Sequence, residues 1–222
     1  YITICKSALD ELTEKCGKID AISVDTQGET LILTDENGSP LYPAVVWLDN
    51  RAEKEAEDIK AKFGNELVYN VTGQPEITAG WPASKLLWFK NNRPYVFGKI
   101  RKVFMLEDWV LYRLTGNYVP EPTIQSSTTY YDVINGKWWG EMLDFIGIGE
   151  DVLPRIAKSA EIVGEYNGAK VVSGALDQIA GTVGAGCVSD RVISEMTGTI
   201  MAICVMTDKL PPYRAESIIP CH

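Results

Sequence analysis

The order of hydrophobic and polar positions predicts a chain that begins with one helix followed by several strands. Apolar residues recur at every fourth position across residues 3–16, which is the spacing of an amphipathic helix. β-Branched residues dominate residues 19–24 and 30–34, which are predicted strands. A turn-forming run at 36–40 separates the second strand from a third predicted strand at 41–47.

Strands and helices alternate through the rest of the chain, which is typical of the α/β class. The predicted helices are at 50–64, 83–92, 107–116, 138–148 and 177–186, and Asp49 or Asn50 is the predicted cap of the first of these. The predicted strands are at 102–106, 169–176 and 191–206. The last segment is two strands around a turn at Thr197, Gly198 and Thr199. The change from helix to hairpin near Asp190 predicts a domain boundary. We therefore expect one domain at 1–189 and the start of a second at 190–222.

Composition narrows the classes of function. The 222 residues are 45% hydrophobic and carry a net charge of −9, which disfavours binding to nucleic acid or to an anionic membrane. No apolar run approaches the roughly 20 residues that span a bilayer. The five cysteines form no C-x-x-C pair, which disfavours a zinc site or a disulfide framework and favours the reducing cytoplasm.

The only histidine is His222, at the last position. This position excludes mechanisms that need an internal histidine, including Ser-His-Asp hydrolases, Cys-His proteases and histidine metal sites. The chain also starts at Tyr1 inside a helical pattern and stops in what resembles the start of a strand. We therefore expect a piece of a longer protein.

Asp177 is the most informative residue, because it is the one carboxylate in the small and apolar stretch 174–186. It comes directly after a predicted strand, at the cap or first turn of a helix. As a cap it would contribute about 1 kcal/mol to stability. As a catalytic carboxylate it would lie at the carboxyl end of a strand, where α/β folds place their sites. The two interpretations are compatible.

Two further segments have both a structural and a functional interpretation. The polar run 27–29 between two strands is either a solvated turn or a cluster that binds hydroxyl groups. Trp47, followed by Asp49 and Arg51, either belongs to the core or packs against the carbon face of a sugar or polyol. Lys85 is expected on the surface.

The turn at 197–199 also has two interpretations. It is either a plain β-turn or a set of backbone N–H groups directed at a phosphate.

These motifs occur in an order that resembles the FGGY carbohydrate kinases. The resemblance runs from about residue 18 to 222 and includes "QGET", "PAVVWLDNR", "SKLLW", "LEDWVLYRLTG", "GALDQIAGTVGAG" and "ISEMTGT". It implies an actin-like (ribonuclease H-like) ATPase fold, with the sugar-binding N-terminal domain followed by the first strands of a nucleotide-binding domain. It also implies ATP and Mg²⁺ as cofactors and a small sugar or polyol as the substrate.

The resemblance assigns roles to individual residues. Asp177 matches the catalytic base, which takes the proton of the substrate hydroxyl. Gly198 and Thr199 match the phosphate hairpin of the second domain. The expected substrate contacts are Gly28, Glu29, Trp47, Asp49, Trp81 and Gln178.

Two departures from the family pattern shape the expectations. The first phosphate hairpin and the adenosine-binding half are not in this sequence, so we expect the fragment alone to be inactive. Gly28 stands where glycerol kinases carry a positive charge, and it is expected to open space beside Glu29. A pentulose or C4–C6 polyol is therefore favoured over glycerol.

Two other functions are compatible with the same residues. The chain could belong to a non-catalytic sugar sensor on the same fold, or to an actin-like or chaperone-like ATPase, although Glu29 and Trp47 disfavour the ATPase. The chain could also form a homodimer, but no stretch of the sequence indicates where its contact surface would lie. No metal-ligating residue is assigned.

Overall fold

The computed structural model describes residues 1–197, 201–216 and 220–222. The predicted phosphate-binding residues Gly198 and Thr199 lie outside the described residues. None of the helices in the described parts of the chain combines the length and the apolar character needed to span a bilayer.

The described elements alternate as predicted for an α/β chain. The helices are α1 (Ile2–Cys16), α2 (Glu53–Phe63), α3 (Asn65–Thr72), α4 (Pro82–Asn92), α5 (Pro94–Phe97), α6 (Leu106–Thr115), α7 (Pro122–Ser126), α8 (Gly140–Ile146) and α9 (Asp177–Gly184). The strands are β1 (Ala21–Thr26), β2 (Leu31–Thr34), β3 (Lys102–Met105), β4 (Tyr131–Asp132), β5 (Lys137–Trp138), β6 (Ile162–Tyr166), β7 (Ala169–Leu176), β8 (Ile193–Thr197) and β9 (Met201–Val205).

The sheet that positions the site has the strand order β1-β7-β6. β1 runs parallel to β7, and β6 runs antiparallel to β7. The register between β1 and β7 shifts between Ser23 and Asp25, because β7 carries one extra residue there. This bulge includes Gly174, where a Cβ atom would lie 1.8 Å from the carbonyl oxygen of Val24. Only glycine permits this approach of the two strands.

The predicted third strand at 41–47 is wrong. Strand β2 pairs with β3, and residues 40–45 contribute only isolated bridges from Pro40 to Thr34 and from Val45 to Leu31. Pro40 and Pro43 lack the N–H that a strand donates to its neighbour, so the ladder is interrupted.

The cap predicted for the second helix is also wrong. Helix α2 begins at Glu53 after Ala52, which makes no side-chain capping bond. The Asp49 carboxylate instead accepts bonds from the backbone and side chain of Arg51. The predicted end of the helix at Gly64 is confirmed, and the φ of 72° there suits a residue without a Cβ atom.

The largest hydrophobic cluster lies between strands β2 and β3 and helices α2, α4 and α8. Lys85 lies in helix α4, whose other residues from Pro82 to Leu87 are also buried, and it is fully buried itself. The expectation of a surface lysine is therefore wrong. The short elements α3, α5, α7, β4, β5 and β6 were not predicted, because they are too brief or too polar to produce a clear periodicity.

Strands β8 and β9 confirm the predicted hairpin after Asp190, and its turn lies outside the described residues. The proposed boundary at 189/190 stays a prediction.

Candidate active site

A cleft of about 450 Å³ opens where β1 and β7 end. The two strands are parallel and their last residues, Thr26 and Leu176, are paired, so the segments that follow them start side by side. The residues that line the cleft are Gln27, Gly28, Glu29, Trp47, Pro75, Glu76, Thr78, Trp81, Leu176, Asp177, Gln178, Pro220 and His222. The structure thus brings together five of the six predicted substrate contacts and the predicted base.

Asp177 is the first residue of α9, and its side chain is exposed. The cap position belongs to Leu176, and within the described part of the chain the Asp177 carboxylate accepts one hydrogen bond, from the N–H of Gln178 to Oδ1 at 2.7 Å. The carboxylate is therefore in the first turn of the helix without capping it. It remains accessible to a ligand in the cleft.

Helices α6 and α7 provide hydrogen-bond acceptors for the end of β7. The N–H of Gly174 donates to Glu107 Oε1 at 2.8 Å, and the N–H of Leu176 donates to Thr123 Oγ1 at 2.9 Å. The Thr123 hydroxyl itself donates to Glu121 Oε2 at 2.5 Å. These bonds fix the backbone on which Asp177 is carried.

Buried carboxyl groups form part of this support. Glu107, Asp108 and Glu121 are all almost completely buried. Burial raises the pKa of Glu107 and of Asp108. Neighbouring acids raise both pKa values further: Asp108 and Glu121 act on Glu107, and Glu121 acts on Asp108. Among the described residues, Glu107 Oε2 and Asp108 Oδ1 have no hydrogen-bond partner. Both groups are stabilised in the protonated form.

Glu29 enters the cleft from a turn between β1 and β2. Its φ of 52° lies in the left-handed region, which is uncommon for a residue with a side chain. Burial raises the pKa of Glu29 to about 7; the Ser127 hydroxyl and the Lys85 ammonium lower it, and the Asp177 carboxylate raises it. A partly buried acid that titrates near neutral pH is typical of functional sites.

Lys85 was not predicted as a site residue. Its Nζ donates to the carbonyl oxygens of Glu29, at 2.8 Å, and Val46, at 2.9 Å. Burial lowers its pKa to about 8, and the Glu29 and Asp49 carboxylates oppose that change. The only signal in the sequence is a lysine in an otherwise apolar run.

Two tryptophans form apolar walls. Trp47 is 41% exposed at the cleft, so it is not the core residue of the alternative interpretation. The indole N–H of Trp81 donates to the carbonyl of Glu76 at 2.9 Å, which fixes the ring. Exposed aromatic faces suit the carbon face of a sugar or polyol.

Asp49 is not part of the cleft lining, contrary to expectation. Its carboxylate accepts hydrogen bonds from Arg51 Nε at 2.8 Å and from Arg51 Nη2 at 2.6 Å, and this pairing lowers the pKa of Asp49. The guanidinium also lies over the Trp88 ring, with its central carbon 4.9 Å from the ring centre. Asp49 therefore orders the segment after Trp47.

Gly28 does line the cleft, but it does not open space. A Cβ atom there would lie 3.0 Å from both Leu176 Cδ1 and Ser127 Oγ, so the glycine allows close packing behind Glu29. Gln178 also lines the cleft, and its Nε2 atom is 3.5 Å from the Cys204 sulfur of β9.

Several lining residues were missed, among them Glu76, Thr78 and His222, whereas Gln27 belongs to the polar run 27–29 that was predicted as a candidate hydroxyl-binding cluster. His222 was set aside because of its position in the chain, yet its Nδ1 atom lies 2.8 Å from Ser126 Oγ. Glu76 and Thr78 lie between helices α3 and α4, and no pattern in the sequence indicates that they line the cleft.

Within the described ranges, no group of three or more histidine, cysteine, aspartate or glutamate side chains is arranged to hold a metal ion.

Comparison with known proteins identifies the family. The model of the FGGY family of carbohydrate kinases, N-terminal domain, matches residues 1–196. The glycerol kinase of Thermococcus kodakarensis is 33% identical over 218 residues, covering 94% of this chain and 44% of that protein. The xylulose kinase of Lactococcus lactis is 27% identical over 217 residues, covering 93% of this chain and 43% of that protein.

A solved structure shows the same arrangement. The gluconate kinase of Lactobacillus acidophilus superimposes with a TM-score of 0.84 at 28% identity, covering 90% of this chain and 43% of that one. The predicted actin-like ATPase fold is therefore confirmed, and the chain spans less than half the length of these relatives. The chain belongs to the FGGY family of carbohydrate kinases, and the matched region is the family's N-terminal domain.

Proposed function

We propose that the protein containing this chain transfers the γ-phosphoryl group of ATP to a hydroxyl group of a sugar or polyol bound in the cleft. The observation that carries the proposal is the position of Asp177, whose carboxylate is exposed in one cleft with Glu29, Trp47, Trp81 and Gln178. Among the described residues this carboxylate accepts one hydrogen bond, from Gln178. Membership of a carbohydrate kinase family supports it.

Asp177 acts as the general base. Its carboxylate takes the proton of the substrate hydroxyl while that oxygen forms a bond to the γ-phosphorus, and the bond from that phosphorus to the bridging oxygen of ADP breaks. ATP supplies the phosphoryl group. Positioning of the hydroxyl and of the base provides much of the rate in reactions of this class. The hydrogen bonds at Gly174 and Leu176 keep the base in place.

Glu29 and the two tryptophans bind the substrate. The Glu29 carboxylate accepts hydrogen bonds from substrate hydroxyls, and Trp47 and Trp81 pack against carbon atoms. The charged side chains named in the lining are acids, namely Glu29, Glu76 and Asp177. Acidic walls favour an uncharged ketose or polyol over a sugar acid, because a carboxylate ligand would be repelled.

This chain alone is proposed to be inactive. Because it spans less than half of its relatives, we propose that it needs the rest of the protein for turnover. Mg²⁺ accompanies ATP in the proposal, and Gly198 and Thr199, which lie outside the described residues, stay the proposed phosphate contacts.

The test is a coupled ADP-release assay on the protein expressed from its complete gene. The panel contains glycerol, erythritol, xylitol, D-xylulose, D-ribulose, L-ribulose and gluconate. We expect turnover with a pentulose or C4–C6 polyol and much less with gluconate. Calorimetric sugar binding without turnover of any substrate would instead support the sensor.

A further inference from the structure

The turn that carries Glu29 and the segment that carries Trp47 are neighbours in space. Leu31 and Val45 exchange both backbone hydrogen bonds at 2.9 Å, so the two segments begin as an antiparallel pair. Continuing that ladder by two residues would pair Glu29 with Trp47.

The pairing of Leu31 with Val45 is an isolated bridge and does not continue to Glu29. The φ of 52° at Glu29 turns the backbone away, and the N–H of Thr30 donates to the carbonyl of Gly28 at 2.7 Å. The carbonyl of Glu29 is thereby directed out of the ladder. Buried carbonyl groups that lose their ladder partner need another donor.

The side chain of Lys85 supplies that donor to both segments. Its Nζ lies 2.8 Å from the Glu29 oxygen and 2.9 Å from the Val46 oxygen, so one ammonium joins the two segments where the ladder has ended. The side chain is fully buried, and the ion pairs found among the described residues do not include it. Burying an ammonium is costly, and the two carbonyl contacts offset part of that cost, together with the attraction of the Glu29 and Asp49 carboxylates.

We infer that Lys85 is a positioning residue that holds Glu29 and Trp47 at the spacing needed to bind the substrate. The inference rests on the proposed function for the identity of the ligand. It predicts an effect on sugar affinity more than on the chemical step, because Asp177 is carried by β7 and α9 and has its own supports.

The first measurement needs no substrate. Amide hydrogen exchange of the sugar-free protein is compared between wild type, Lys85→Met and Lys90→Met. Lys90 is the matched control, since it lies in the same helix but is exposed and bonds to Phe145. We expect exchange at residues 28–31 and 45–47 to become at least about tenfold faster in Lys85→Met only. Unchanged exchange in that variant would overturn the positioning role.

The second measurement is sugar affinity by calorimetry, together with KM and kcat. Lys85→Met is expected to raise the sugar Kd and KM at least about tenfold and to change kcat less than about threefold. Equal losses in kcat and kcat/KM would contradict the inference. If Lys85→Met does not fold, Lys85→Gln takes its place, and both measurements apply to it unchanged.

A double-mutant cycle with Trp47→Ala separates positioning from general destabilisation. If Lys85 acts by placing Trp47, its removal in the Trp47→Ala background raises Kd by clearly less than it does in the wild type. Because Trp47 is uncharged, such coupling is not a direct charge effect. Additive losses would overturn the inference. A wild-type protein that bound no sugar would overturn the proposed function, while hydrogen exchange would still decide the role of Lys85.

Discussion

The hydroxyl of Thr123 accepts the backbone N–H of Leu176 at 2.9 Å, immediately before Asp177. The same hydroxyl donates to Glu121, a buried acid at the N-terminus of α7. The hydroxyl therefore has a fixed direction, and the end of β7 is attached to a neighbouring helix. This attachment connects the packing of the domain to the position of its proposed base.

Replacing Thr123 by valine keeps the shape and removes the acceptor. Leaving the buried N–H of Leu176 unpaired is expected to cost about 1–3 kcal/mol of stability. Displacement of Asp177 is expected to reduce kcat roughly 10- to 100-fold with little change in KM. Steady-state kinetics and denaturant unfolding measure the two effects.

The control for this variant is Thr13→Val, which removes an exposed hydroxyl from α1. It is expected to leave kcat unchanged. An unaltered kcat in Thr123→Val would show that the bond to Leu176 does not position the base.

Gly174→Ala tests the contact between β1 and β7. The added Cβ atom would lie 1.8 Å from the Val24 carbonyl oxygen, so the strands must separate. We expect a loss of at least about 3 kcal/mol in the free energy of unfolding, the upper part of the range for overpacking. Chemical denaturation measures it.

Gly184→Ala is the matched control, because nothing lies within 4 Å of its added Cβ atom and the residue ends helix α9. Its stability is expected to stay within about 1 kcal/mol of wild type. Similar stabilities for the two variants would contradict the close approach of β1 and β7.

Glu29 predicts a pH dependence. Its pKa is raised to about 7, and the ionised carboxylate is the form that accepts hydrogen bonds from substrate hydroxyls. We expect kcat/KM to rise with pH through about 7 and this limb to disappear in Glu29→Gln. A profile that keeps the limb in the variant would assign it to another group.

The raised pKa of Glu29 also predicts that the stability of the fold falls as pH rises. A carboxyl group whose pKa is higher in the folded than in the unfolded state stabilises the fold below the unfolded value, and this contribution is lost as pH rises through the folded value. Stability should therefore decline between about pH 4.5 and 7, and it should decline less in Glu29→Gln. Thermal unfolding at several pH values measures the difference.

The sequence predicted the long elements and the place of Asp177 between a strand and a helix better than the walls of the cleft. Asp177 was identifiable because it follows a hydrophobic strand and precedes a helix of small residues, and both elements are as expected. The strand predicted after Pro40 failed because local apolar content does not show whether a ladder partner is available. Lys85 and Asp49 were misjudged because their partners are backbone carbonyls and an arginine whose spatial arrangement no periodicity reveals.

The most direct test of the proposed kinase activity compares wild type with Asp177→Asn in the protein expressed from its complete gene. ADP release with the best sugar of the panel is measured beside calorimetric sugar binding. We predict that kcat falls by about 10²–10⁴-fold while the sugar Kd changes less than about threefold, because the amide keeps the shape of the side chain but cannot take the proton. An Asp177→Asn protein that retained wild-type turnover would contradict the account.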